Sequence, residues 1–389
     1  MNITLNLKKM IQSTLKNVLR LMTKVEDDTV FFISFSGESY SDNPKAISEA
    51  LHTLSPKTKI VWGFKNIEAK KGIVPNYVHC IDMNNFMMIH KTYYSSKVVV
   101  SNFSFPYIKK SSKQYFVQTW HGDRAFKKVL CDSPFVSKDY FVSESEKGYC
   151  DLAIAGSDYG ERQYLSAFRY SGEILKEGTP RDDVLIRRDE RKIIDIKKIL
   201  NVDENKKILL YAPTLRRENA TQKTEQQSLV DINETLSCLQ SKYGNDWVCL
   251  MRAHPAIKGL CGVEYGDKII NVSTYEDMAE LLLISDMLIT DYSSCAGDFA
   301  LTGNPVVLFQ SDIQEYLEKD RSFYFDINDS PYYVAHDQNE LNQIISRFND
   351  SAIKQNCQDI LDFYGSHESG KSAEIIAQKI VDWLQKYSD

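Results

Sequence analysis

Short apolar runs recur along the chain, each closing on a polar or glycine-bearing turn and most followed by a stretch of helical spacing. The runs at 30–35, 59–64, 78–81, 97–101, 115–119 and 152–155 read as buried strands, with a helix expected over 43–54. A second series begins at 207–212 and continues through 248–252, 269–272, 287–290 and 305–309, with a helix over 275–284. Continuous apolar runs alternating with amphipathic stretches predict parallel sheets covered on both faces by helices. Between the two series, residues 182–206 are highly charged and helix-prone and read as a connector. The polar stretch 216–230 reads as a loop over a cleft, and a last helix from 372 to about 387 has the length to cross back onto the first series. The expectation is therefore two α/β domains with parallel sheets, 26–181 and 207–371, with an amino-terminal helix before them and a terminal helix after.

Length agrees with this division, since 389 residues exceed what one core usually supports. A hydrophobic fraction of 43% and a charged fraction of 26% are those of a water-soluble globular chain. The net charge of −6 argues against general nucleic-acid binding. Eight scattered cysteines without CxxC pairing read as buried thiols, not as a disulfide or zinc framework. No run reaches the roughly 18–20 apolar residues that span a bilayer, and the start lacks a secretory signal pattern. Residues 1–25 do carry Lys8, Lys9, Lys16, Arg20 and Lys24 with no acid, opposite Leu7, Met10, Ile11, Leu15, Val18, Leu19 and Met22 at helical spacing. That pattern suits a helix lying on an anionic membrane surface, or one packed on the protein's own core with its lysines in water.

Three strand ends carry chemistry. The run Tyr115-Phe116-Val117 delivers Gln118-Thr119-Trp120-His121-Gly122, a histidine beside a glycine where open α/β sheets place their sites. An imidazole there can take a proton from an attacking hydroxyl. Farther along, Trp247-Val248-Cys249-Leu250 runs into Met251-Arg252-Ala253-His254-Pro255, a cation for phosphate oxygens and a second imidazole for a leaving group. The third, Met287-Leu288-Ile289-Thr290-Asp291-Tyr292-Ser293-Ser294, ends in hydroxyls at the start of an expected helix and is suited to an anion. Each has a plainer reading: His121 as a hydrogen-bonded core residue, Arg252 and His254 as a cap and a packed ring, the serines as helix caps. Gly365-Ser366-His367-Glu368-Ser369-Gly370-Lys371-Ser372 matches the phosphate-loop pattern GxxxxGK[ST], yet a polar helical stretch precedes it where a buried strand is required. A glycine-bounded turn before the last helix is the better reading.

In combination and order, Gln118 to Gly122, Glu177-Gly178-Thr179-Pro180-Arg181-Asp182-Asp183, the stretch 210–216, Arg252 to Pro255 and the stretch 289–298 resemble the CDP-glycerol glycerophosphotransferase family of teichoic-acid and capsule polymerases. The stretches 90–102 and 321–326 also look like that family, and the resemblance covers roughly 85–385. It implies a GT-B architecture, two Rossmann-like domains across a cleft. It also implies transfer of a polyol phosphate from a CDP-linked donor to a polymer hydroxyl with release of CMP. His121 is then the expected base and His254 the group aiding departure of CMP. Arg252, Ser293, Ser294, Asp291, Thr214, Arg216 and Asp298 are the expected donor contacts, with Gly122 and Asp123 on the acceptor side, Asp123 orienting His121 or binding the polyol. Family members often have Thr-Pro after Trp-His-Gly where this chain has Asp123-Arg124, so its acceptor end is expected to differ. CDP-glycerol is the leading donor and CDP-ribitol the next, with a lipid-linked or polymeric acceptor, an anionic membrane surface on the cytoplasmic side, and no nucleic acid. No acidic cluster of distinctive spacing marks a metal site, and a requirement for a divalent cation stays open. The alternatives are a nucleotide-sugar glycosyltransferase of the same architecture and a non-catalytic assembly subunit. The serines and Asp298 standing where glycosyltransferases place a ribose-binding acid, ahead of Gly303-Asn304-Pro305, favour phosphoryl transfer.

Overall fold

A computed structural model describes residues 3–103, 110–134, 150–214, 230–253, 265–319 and 322–386. These form two parallel sheets. The first contains β1 (Glu26–Ile33), β2 (Lys59–Phe64), β3 (Val78–Asp82), β4 (Ser96–Ser101), β5 (Tyr115–Gln118), β6 (Leu152–Ile154) and β7 (Glu173–Leu175), in the spatial order β3-β2-β1-β4-β5-β6-β7. The second contains β8 (Lys207–Ala212), β9 (Trp247–Met251), β10 (Ile269–Asn271), β11 (Met287–Thr290), β12 (Val306–Phe309) and β13 (Tyr333–Ala335), ordered β10-β9-β8-β11-β12-β13. In both sheets the order reverses beside the first strand, between β1 and β4 and between β8 and β11. Crevices open at the carboxyl ends of strands at such switch points, which is where doubly wound folds bind ligands.

The apolar runs become strands because both sheet faces are covered. Val30, Phe32, Trp62, Val98 and Val117 point into one core layer, which is completed by Ile376, Ile380 and Leu384 of the terminal helix Ser372–Lys386. Tyr115 stacks on Trp383 of that helix at 4.3 Å. On the opposite face Phe31, Ile33, Val99 and Phe116 pack with Tyr93 and Tyr94 of the helix Phe86–Ser95. Side-chain caps fix several helix starts: Asn85 accepts from the Met88 amide, Ser157 from that of Gly160 and Asp231 from that of Glu234. The connector is helical at Asp183–Arg187 and Glu190–Ile199. The strands β7 and β13, three residues each at sheet edges, are absent from the apolar pattern.

The amino-terminal helix Ile3–Met22 packs on the helix Phe86–Ser95, and Leu19 joins the core layer around Phe31. Met10, Val18, Leu21 and Met22 stay exposed. No described helix is long and apolar enough to cross a membrane. The expected loop 216–230 falls almost wholly outside the described residues.

The segment that follows His121 crosses from the first sheet to the second. Phe126 is fully buried in the second sheet's core, 5.3 Å from the Tyr332 ring and 5.8 Å from that of Phe325. The Tyr324 amide bonds the Phe126 carbonyl at 2.9 Å, and the Lys128 amide bonds that of Ser322 at 2.8 Å. Burying one such phenyl ring contributes about 1.5–3 kcal/mol, so the strap anchors the histidine turn to both halves.

Candidate active site

His121 sits past the end of β5, beside the first sheet's switch point. Its Nδ1 lies 2.8 Å from the carbonyl of Asn102, the residue after β4. A carbonyl only accepts, so Nδ1 carries the proton and Nε2 keeps its lone pair. Nε2 makes no hydrogen bond among the described residues. Asn102 is itself fixed, accepting from the Phe35 amide at 2.8 Å and donating to Ser34 Oγ at 3.1 Å, so the ends of β1 and β4 jointly aim the ring. Phe35, Phe103 and Trp120 surround the imidazole at centroid distances of 5.3, 5.8 and 4.1 Å. This cage desolvates the ring and holds its pKa below the ordinary imidazole value, with Asp42 pulling upward and Arg181 downward. The imidazole is therefore neutral at neutral pH, as a base must be.

The second half of the site is built at the carboxyl ends of β8, β9 and β11. Asp291 follows β11, and its carboxylate accepts from the Thr214 amide at 3.0 and 3.1 Å, joining the two strand ends that flank that sheet's switch point. The same carboxylate accepts from the Tyr292 amide at 2.6 Å. Ser293 and Ser294 then lead into the short helix Cys295–Phe299, and Ser294 makes no side-chain cap bond to it. Arg252 follows β9, with its amide on the Tyr211 carbonyl at 2.9 Å. Its side chain is mostly enclosed, which depresses its pKa, and Nη1 has no partner among the described residues. A buried guanidinium nitrogen without a partner carries a desolvation cost that an incoming anion would offset, although Arg124 Nε is also unpartnered among the described residues, inside a buried ionic cluster.

The two halves face each other closely. A Cβ on Gly122 would stand 3.8 Å from Ser294 Oγ and 3.7 Å from Trp120 Nε1, ordinary contact distances that set the histidine turn beside the serine turn. His254 and Arg216 lie outside the described residues, as do Arg217 and Pro255.

Two expected roles need correction. Asp123 does not reach His121, because its oxygens accept from the Gly156 amide at 2.9 Å and Ser157 Oγ at 2.6 Å. It is buried against Gly160 and ties the histidine turn to the end of β6. Asp298 is taken up by two arginines, since Oδ1 accepts from Arg124 Nη1 at 2.9 Å and Oδ2 from Arg181 Nη2 at 2.8 Å. Each carboxylate is spent on structure.

Asp298 belongs to a buried ionic clasp that sequence reading missed. Arg124, wholly enclosed, also pairs with Asp182 at 3.1 Å, with Ser366 at 3.2 Å and with Glu368. Arg181 pairs with Asp42 at 3.2 Å. Glu368 accepts in addition from the Thr179 amide at 2.8 Å. The two arginines hold Asp298 ionised, whereas burial pushes Asp182 and Glu368 upward, Asp182 also through the neighbouring Asp298. The phosphate-loop lookalike thus supplies a clasp carboxylate between the helices Asp350–Tyr364 and Ser372–Lys386, with no strand before it. A second clasp joins Lys45 to Asp277 and Glu280 at 2.8 and 2.7 Å, and Glu276 to Lys70 and the Tyr40 amide.

Among the described residues no group of three or more His, Cys, Asp or Glu is arranged to hold a metal ion. Cys249, Cys295 and Cys357 are buried free thiols.

Comparison with known proteins bears on the family and the fold. A teichoic acid poly(glycerol phosphate) polymerase of Staphylococcus epidermidis is 31% identical over 92% of the chain, which spans only 51% of that relative. The chain thus covers about half of that relative's length. A teichoic acid glycerol-phosphate transferase of Staphylococcus aureus is 30% identical, with 89% of the chain and 90% of the relative covered. The solved wall teichoic acid polymerase TagF superposes with a TM-score of 0.83 at 29% identity, covering 99% of the chain and 96% of its own, and the fold is accordingly GT-B-like. The family model for CDP-glycerol:poly(glycerophosphate) glycerophosphotransferases matches residues 15–382, and this chain belongs to that family.

Proposed function

We propose that the chain transfers glycerol phosphate from CDP-glycerol to a hydroxyl of a teichoic-acid type polymer and releases CMP. The observation that carries this is the approach of the Trp120-His121-Gly122 turn to Ser293-Ser294, which sets a base opposite an anion-binding turn and the unpartnered Arg252. The acceptor oxygen attacks the phosphorus bearing the glycerol. The bond from that phosphorus to the bridging oxygen breaks, and the electron pair leaves on CMP. The acceptor proton passes to His121 Nε2, whose lone pair the Asn102 carbonyl keeps available. Arg252 and the serine turn neutralise charge on the diphosphate, and their contribution grows as charge develops on the departing oxygen. Asp291 holds the Thr214 and Ser293 turns in register. His254 and Arg216 keep their sequence-based assignments, leaving-group acid and donor cation.

In this reading residues 26–181 receive the acceptor and 207–371 the donor, with 182–206 connecting them and 372–389 returning to the first. The exposed Met10, Val18, Leu21 and Met22, with the neighbouring lysines, suit peripheral attachment to the inner face of an anionic membrane. A lipid-linked acceptor would be met there. The deciding experiment incubates the protein with CDP-glycerol, CDP-ribitol and UDP-sugars plus lipid-linked acceptors and scores the nucleotide released. CMP from CDP-glycerol is expected. CMP from CDP-ribitol alone would change the donor, UDP would make the chain a glycosyltransferase, and no product from any pair would favour an assembly subunit.

A further inference from the structure

His121 follows a residue whose backbone is hard to hold. Trp120 has φ +52°, the left-handed region that a bulky aromatic side chain avoids. Such a conformation persists only where its surroundings fix it. The Trp120 amide donates to Gln118 Oε1 at 2.9 Å, and the indole packs edge-on to Phe168 at 4.7 Å. The other end of the residue is held from a distant element. Asn43, second residue of the helix Asp42–Leu54, donates its side-chain amide to the Trp120 carbonyl at 3.0 Å and to the Thr119 carbonyl at 3.2 Å. Its Oδ1 accepts from the Arg181 amide at 3.0 Å, so every polar group of a side chain only 1% exposed is used.

None of these bonds serves the helix on which Asn43 sits. They converge on the peptide that carries His121, and through Arg181 they reach Asp298 on the helix that follows Ser293 and Ser294. We propose that Asn43 is a positioning residue for His121: it clamps the Trp120 peptide so that Nδ1 meets the Asn102 carbonyl and Nε2 is presented to the acceptor, and it refers that placement to the donor half through Arg181 and Asp298. The proposal rests on the reading of His121 as the base. The charged groups near the ring are Asp42, also in the first turn of that helix, and Arg181; neither replaces the clamp, because Asp42 binds Arg181 and the Asn43 amide.

The test uses the full chain with ¹⁵N-labelled histidine, the His121 resonance being assigned with His121→Gln. In the wild type His121 is expected as the neutral Nδ1–H tautomer. In Asn43→Ala, and in Asn43→Ser should the alanine variant fold poorly, it should become a mixture with the Nε2–H form that free imidazole prefers, and its titration midpoint should move up toward the ordinary value. Turnover of CDP-glycerol should fall about 30-fold or more with the donor KM within about twofold, as expected when a base is misplaced and donor binding is intact. An unchanged tautomer and midpoint in a folded variant overturns the proposal whatever the activity. If the wild type itself releases no CMP, the functional reading fails, and the nitrogen spectra still decide whether Asn43 sets the ring.

Discussion

The crevice between the sheet ends and the ionic clasp behind it are made of the same residue types and behave in opposite ways. In the clasp Arg124 and Arg181 meet Asp42, Asp182, Asp298 and Glu368, and nearly every charge has an opposite within reach. In the crevice Arg252 leaves Nη1 without a partner among the described residues, and His121 leaves Nε2 with its lone pair available. Paired charges in the clasp join the two halves, whereas the Arg252 guanidinium and the neutral His121 imidazole each keep a nitrogen that no described residue bonds. Nothing local distinguishes them, since Arg124 stands three residues from His121 and yet belongs to the clasp.

The largest effect should come from breaking the clasp. Arg124→Ala strands buried carboxylates on three elements and should destabilise the fold by about 3–5 kcal/mol, read as a lowered urea midpoint. A midpoint like that of the wild type would mean that the clasp does not hold the halves together. Next is the base. His121→Ala should lower turnover by about a hundredfold or more while CDP-donor affinity stays nearly intact, so near-normal CMP release from the folded variant would remove its role. Gly297→Ala adds a methyl about 2.7 Å from Arg124 Cβ and 2.9 Å from its Cδ. The crowding should cost about 1–3 kcal/mol, and thermal unfolding unaffected by the substitution would show that the clasp yields. Smaller again, Ser293→Ala with Ser294→Ala should weaken CDP-glycerol and free CDP alike by about five- to tenfold. Loss of one without the other in calorimetry would place the serines on the glycerol or leave them as caps.

The smallest effect is on pH. Burial depresses the His121 pKa, so the neutral base survives as pH falls through the ordinary imidazole value of about 6.5. The acid limb of kcat/KM should lie below that value and disappear in His121→Ala. A limb at or above it belongs to another group.

Much of the architecture could be read from apolar runs alone, because central strands such as β1, β4, β8 and β11 are buried on both faces and tolerate few polar residues. The edge strands β7 and β13 escaped because runs of only three residues, most of them not fully buried, are too short to carry such a pattern. The strand ends at His121, Arg252 and Ser293-Ser294 stood out in the sequence because each apolar run closes on polar residues, and the structure sets the first and last of these turns side by side. The crevice was misread where proximity in sequence was taken for proximity in space. Asp123, two residues from the histidine, turns to Gly156 and Ser157, whereas Asp42, 79 positions earlier, lies in the field of the ring. The clasp joins residues 58 to 244 positions apart, and a single sequence holds no record of such pairings. Asn43 was passed over for the same reason, since an asparagine in a helix's first turn reads as an ordinary helix start.

The claim that unpaired charge marks the donor site is tested most directly by calorimetric titration of CDP-glycerol into Arg252→Ala, with its unfolding midpoint measured alongside. Loss of a charge-assisted contact of about 1.5–3 kcal/mol should weaken binding at least tenfold. The midpoint should hold or rise, because the variant no longer buries an unpaired guanidinium nitrogen. Wild-type affinity in a folded Arg252→Ala protein would contradict the account.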